Sequence, residues 1–124
     1  MNEHAGAWSR AVYVWFALLG SIGAWLVHLV ALSGLAPSAC DRSSARAAMH
    51  ATTVGCLVVA SLSLLLAVRL SLVGDDPQPE SASWLARRGD RFLGLMGILI
   101  GVVDVALIVF EELDVVALAG RACG

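Results

Sequence analysis

The chain predicts an all-α integral membrane protein, a three-helix bundle running up, down and up as a single transmembrane domain over residues 1–124, and three observations predict it. Apolar residues fill 59% of the 124 positions and charged residues only 15%, with a mean hydropathy of +0.82. Soluble domains run nearer half apolar and a quarter charged, and a chain this short has too little interior to hide the excess. Second, the apolar residues gather into three runs, Ala11 to Leu35, Ala45 to Val73 and Phe92 to Phe110. Each reaches the roughly 20 helical residues that cross a hydrocarbon core ~30 Å thick. Third, helix breakers fall between the runs, and inside lipid only a helix lets a single segment satisfy its own backbone hydrogen bonds.

The first helix is expected over about residues 11–35, closed by Gly34 and Pro37. A small-residue stretch, Ala36 to Ala39, followed by Cys40 has the look of a signal-peptide cleavage site. The apolar run is nevertheless longer than the ~7 to 15 residues of a signal core, and Pro37 stands where a lipoprotein signal has Leu, so the segment is expected to stay as a helix. The second helix, about 45–73, has Asp41, Ser43 and Ser44 as N-cap candidates, and Gly74-Asp75-Asp76-Pro77 stops it. Residues 74–87 read as an exposed loop that leads into a third helix over about 88–113.

Three spans place the N-terminal tail and the second loop on one side and the first loop and C-terminus on the other. Arg10, Arg69, Arg87, Arg88 and Arg91 lie on the first side, against Arg42, Arg46 and Arg121 on the second. The excess of arginine sets the N-terminus in the cytoplasm and the C-terminus outside, across a plasma membrane. Cys40 and Cys123 then share the outer side, where a disulfide persists and would close a long loop; two free thiols or a metal pair are the competing readings. Cys56 lies within the second span as a small hydrophobe. Trp8, Trp15 and Trp84 are expected at the inner interface, and Arg87, Arg88 and Arg91 form a collar for anionic headgroups. Asp41, Glu111, Glu112 and Asp114 read as a solvated outer rim, or as a surface for a basic partner. All eight basic residues are arginines, scattered along a chain of net charge −2, which excludes a phosphate-binding surface and with it nucleic acid.

Each span carries one residue too costly in lipid to be incidental: His28, His50 and Asp104. Counted from outer boundaries at Leu35, Ser44 and Glu111, all three fall about 10 Å deep, so they are expected to form one polar layer. Small and polar residues recur on one face of each helix. They are Ser21, Ala24, His28 and Ala31 on the first; His50, Thr53, Leu57 and Ala60, with Ser61 beside them, on the second; and Gly94, Gly97, Gly101, Asp104, Ile108 and Glu111 on the third. The three glycines would let the helices approach closely. Three readings of the layer stay open. It is an interhelical hydrogen-bond network with Asp104 accepting from a histidine, a ligand set for copper, another transition metal or haem, or a proton relay. No nucleophile with a base or oxyanion donor can be placed, so no enzymatic activity is expected.

The order of short motifs, W-L-V-H-L at Trp25 to Leu29, A-C at Ala39 and Cys40, M-H-A-T-T at Met49 to Thr53, R-F-L-G-L-M-G at Arg91 to Gly97 and a terminal A-C, resembles a family of small bacterial three-helix membrane proteins. That family has no assigned activity and is often encoded beside cytochrome c oxidase and oxidase-assembly genes. By this resemblance Trp25, His28, Cys40, His50, Arg91, Phe92 and Cys123 hold the family's characteristic positions. Asp104 stands where the family has an apolar residue, and Ala122-Cys123 replaces its closing Pro-Cys. The resemblance implies a non-catalytic accessory or assembly component of a respiratory complex in a bacterial inner membrane, in contact with lipid and with other membrane subunits. The alternative is a metal- or haem-binding membrane protein that uses His28 and His50.

Overall fold

A computed structural model describes residues 2–40, 42–73 and 84–122, with side chains described for 8–40, 42–72, 89 and 91–117. Three helices make up the fold: α1 (Asn2–Leu35), α2 (Ser43–Val73) and α3 (Trp84–Ala122), with one 3₁₀ turn (Ala36–Ser38) after α1. Pro37 sits in the first turn of that 3₁₀ segment, where its missing N–H costs nothing. The chain reverses there, and the Arg42 amide bonds the Ser38 carbonyl at 3.1 Å.

Each helix carries a candidate membrane span, Trp8–Ser38, Ser43–Leu72 and Arg91–Ala117. The helices outrun the sequence expectation at both ends of the chain, since α1 begins at Asn2 and α3 runs from Trp84 to Ala122. At 39 residues α3 is about 58 Å long, well beyond the ~30 Å of a hydrocarbon core. The charged residues Glu111, Glu112 and Asp114, taken from the sequence as the end of the span, lie inside it.

α2 packs against both α1 and α3, and these two, running parallel, also touch. The seam follows from residue size. Along α1 the buried positions are Ala17, Ser21, Ala24 and His28; along α2 they are Ala45, Met49, Thr53, Cys56, Ala60, Ser63 and Ala67; along α3 they are Gly94, Gly97, Gly101, Asp104 and Ile108. Steps of three and four residues are the a/d spacing of a left-handed bundle. Large apolar side chains point the other way: Leu26, Val27 and Val30 on α1, Val54, Val58 and Leu62 on α2, Leu99, Val102 and Phe110 on α3 are all exposed. Small and polar residues inside with bulky apolar residues outside reverse the soluble arrangement, because lipid solvates Leu and Val as well as a protein core does.

Candidate functional site

We call the upper end of the bundle the one where α1 finishes, α2 starts and α3 finishes. Near it one hydrogen-bonded chain threads all three helices. The Trp25 indole Nε1 donates to Glu111 Oε1 at 3.1 Å. Glu111 Oε2 lies 2.8 Å from His28 Nδ1, and His28 Nε2 lies 2.9 Å from Thr53 Oγ1. Thr53 Oγ1 is in turn 2.6 Å from Glu112 Oε2 and 3.1 Å from the Met49 carbonyl, one turn back on its own helix. Glu112 Oε1 pairs with His50 Nδ1. Burial grades along the chain: the His28 side chain is 0% exposed, those of Glu111 and Glu112 are 24% and 21%, and that of His50 is 44%.

Two adjacent glutamates can serve two neighbours because consecutive side chains on a helix diverge by about 100°. Glu111 turns to α1 and Glu112 to α2, so α3 is tied to both partners from one turn. Sequence reasoning placed these carboxylates on a solvated rim, and the structure corrects that to an inward-facing pair. The available signal was the doublet itself, level with two histidines once α3 continues past Asp114.

Asp104 does not take the part expected of it. It is buried at 6% exposure on the same stripe, yet it lies seven residues, about two turns, below Glu111, and neither histidine bonds it. Its Oδ2 and the hydroxyl of Ser21, which lies seven residues below His28, are buried without a hydrogen-bond partner. His28 and His50 therefore meet different carboxylates from the expected one, and they are joined to each other only through Thr53 and Glu112. The buried layer between the two levels is apolar, formed by Ala24, Cys56 and Ile108.

Lower in the bundle Gly94 and Gly97 meet neighbouring backbone and Gly101 a side chain. A Cβ on Gly94 would stand 2.7 Å from the Ser71 amide nitrogen, and one on Gly97 would stand 2.9 Å from both the Ala17 carbonyl oxygen and the Ala67 Cβ. One on Gly101 would press on the Leu64 side chain at 3.2 Å. Beside them the Ser63 hydroxyl donates to the Phe16 carbonyl at 2.9 Å, a tie with no counterpart in the sequence reading. Ser61, set beside the seam in that reading, is exposed.

Trp8 and Trp15 are exposed, as residues facing lipid or an interface must be, and so is Arg91. Trp84, Arg87 and Arg88 lie on α3 with side chains outside the described residues. Cys40 is exposed just after the 3₁₀ turn, and its expected partner Cys123 lies outside the described residues, as does Asp41. Cys56 is free and buried.

Both nitrogens of His28 are engaged, and among the described residues no group of three His, Cys, Asp or Glu side chains is arranged to hold an ion. A ligand on His28 would have to displace Glu111 or Thr53. What the arrangement does chemically is tie three helices together and bring two imidazoles and two carboxylates within proton-transfer distance of one another. No protein-family model, curated protein or solved structure matches the chain.

Proposed function

We propose that this three-helix membrane protein is a non-catalytic accessory or assembly component of a respiratory, cytochrome oxidase-type complex in a bacterial inner membrane. The observation that carries the non-catalytic reading is the direction of its polar groups: Trp25, His28, Thr53, Glu111 and Glu112 are spent on one another, while the perimeter is apolar on every helix. Such a body offers its surroundings a shaped hydrophobic surface. One face of it is a groove between α1 and α2 lined by Gly20, Gly23, Ala24, Val27, Thr52, Gly55, Cys56 and Val59. A Cβ on Gly23 or Gly55 would meet nothing, so the bundle's own packing does not require glycine at either position. Small residues on an outward face suit the close approach of another transmembrane helix. The respiratory setting is supported by the order of motifs around Trp25, His50 and Arg91.

The test is purification of the full chain from its native membrane in mild detergent. Recovery of oxidase or oxidase-assembly subunits is expected, and Gly23→Leu with Gly55→Leu should reduce that recovery while leaving the bundle folded. A preparation that brings down no respiratory subunit overturns the reading. An optical spectrum and metal analysis of the same preparation address the alternative, in which His28 and His50 hold a metal or haem.

A further inference from the structure

We propose that the run Glu111–His28–Thr53–Glu112 is a proton-binding site that keeps one proton more than its side chains carry with both carboxylates ionised and the imidazole neutral. The argument is a count of hydrogens. Three consecutive contacts, Glu111 Oε2 to His28 Nδ1 at 2.8 Å, His28 Nε2 to Thr53 Oγ1 at 2.9 Å and Thr53 Oγ1 to Glu112 Oε2 at 2.6 Å, each need one hydrogen between their heavy atoms. A neutral imidazole brings one and the threonine hydroxyl brings one, while ionised carboxylates bring none. Two hydrogens cannot fill three contacts. If Thr53 donates to Glu112, then His28 Nε2–H must donate to Thr53, and Nδ1 faces Glu111 with no hydrogen of its own. If Thr53 donates to His28 or to the Met49 carbonyl instead, Glu112 faces the hydroxyl oxygen with none.

Nothing else among the described residues supplies the missing hydrogen. From α1, Trp25 already donates its N–H to the other oxygen of Glu111, and from α2, His50 faces the other oxygen of Glu112. Among the described residues the further titratable groups on the seam are Asp104, two turns below Glu111, and the Cys56 thiol, about one turn below Thr53, and neither bonds this run. The third hydrogen is therefore an added proton, resident on His28, Glu111 or Glu112 and able to move among them along existing contacts. Losing it leaves two heavy-atom acceptors face to face beside a fully buried imidazole, which opens the contact between helices. The upper end of the bundle thus binds a proton and the closed helix arrangement together, and the half-exposed His50 is the chain's member nearest to solvent.

The decisive measurement uses the full chain in lipid nanodiscs at neutral pH. Nitrogen NMR of labelled histidine reads the protonation of His28, and infrared spectroscopy reads protonated carboxyl groups. The expected result is either a doubly protonated His28, or a singly protonated His28 with one carboxylic-acid band that disappears in Glu111→Gln or Glu112→Gln and persists in Asp104→Asn. A neutral His28 with no such band overturns the proposal. A second readout is the pH dependence of stability. Since the native state holds the extra proton, stability falls as pH rises above the imidazole's ordinary value of about 6.5, where the unfolded chain lets that proton go, with the folded-to-unfolded ratio dropping up to tenfold per pH unit until the native state releases its own. Glu112→Gln brings its own N–H to Thr53 and should flatten that slope by one proton. An unchanged slope in both Glu112→Gln and Glu111→Gln would also overturn the proposal.

Discussion

Near Glu111 and Glu112 the helices stand far enough apart for an imidazole and two carboxylates to lie between them, whereas around Gly94 and Gly97 the glycines meet neighbouring backbone with nothing larger than the Ala67 methyl between. The same three helices are joined at both levels, by directional bonds above and by close contact below. The difference shows how each kind of junction fails. A hydrogen-bonded junction in lipid fails when one member is removed, because its partners stay buried and unpaired. A close-packed junction fails when one atom is added, because a helix backbone cannot step aside as a flexible side chain can.

His28→Ala should break the upper junction with the largest effect of a single change. It leaves Glu111 Oε2 and Thr53 without their shared partner and opens a void, at a cost of about 3 kcal/mol, read as the unfolding free energy in lipid or mild detergent. Gly97→Ala should break the lower one at about 2 kcal/mol in the same assay, since its new methyl meets the Ala17 carbonyl and Ala67 at once. Smallest of all is Gly23→Ala, where the added methyl meets open space. There stability is expected to hold or rise by up to ~1 kcal/mol from helix propensity alone. A Gly97→Ala protein as stable as Gly23→Ala would show that the two kinds of glycine do not differ, and the contrast between junctions would fall.

Much of this architecture was legible from residue types alone. Three apolar runs sufficed for three helices, and the recurrence of small residues from Ser21 to Ala31 and from Gly94 to Ile108 marked the faces that pack. The vertical register of α3 was not legible, and the site depended on it. Charged residues at Glu111, Glu112 and Asp114 look like the end of a span when cost in lipid is the only criterion. Placing the boundary there set Asp104 beside the histidines. The structure continues α3 to Ala122 and satisfies the glutamates inside, which a count of depth from a charged boundary cannot anticipate. The partner of Trp25 escaped for the same reason, since it shares with His28 the carboxylate that the register brings up.

Asp104 and Glu111 stand one heptad apart on one face, so α3 carries two acidic marks like adjacent lines on a vernier, and either would answer a histidine on α1. The glycines decide which line is read. Were α3 advanced by seven residues to set Asp104 in the place of Glu111, Asp90 would fall where Gly97 lies and Arg87 where Gly94 lies. There even a single Cβ comes within 2.9 Å of the Ala17 carbonyl in the first case and 2.7 Å of the Ser71 amide in the second. The lower junction thus works as a key whose missing side chains admit α3 at one height only. The chemistry at the upper end is selected about four to five turns away, by atoms that are not there.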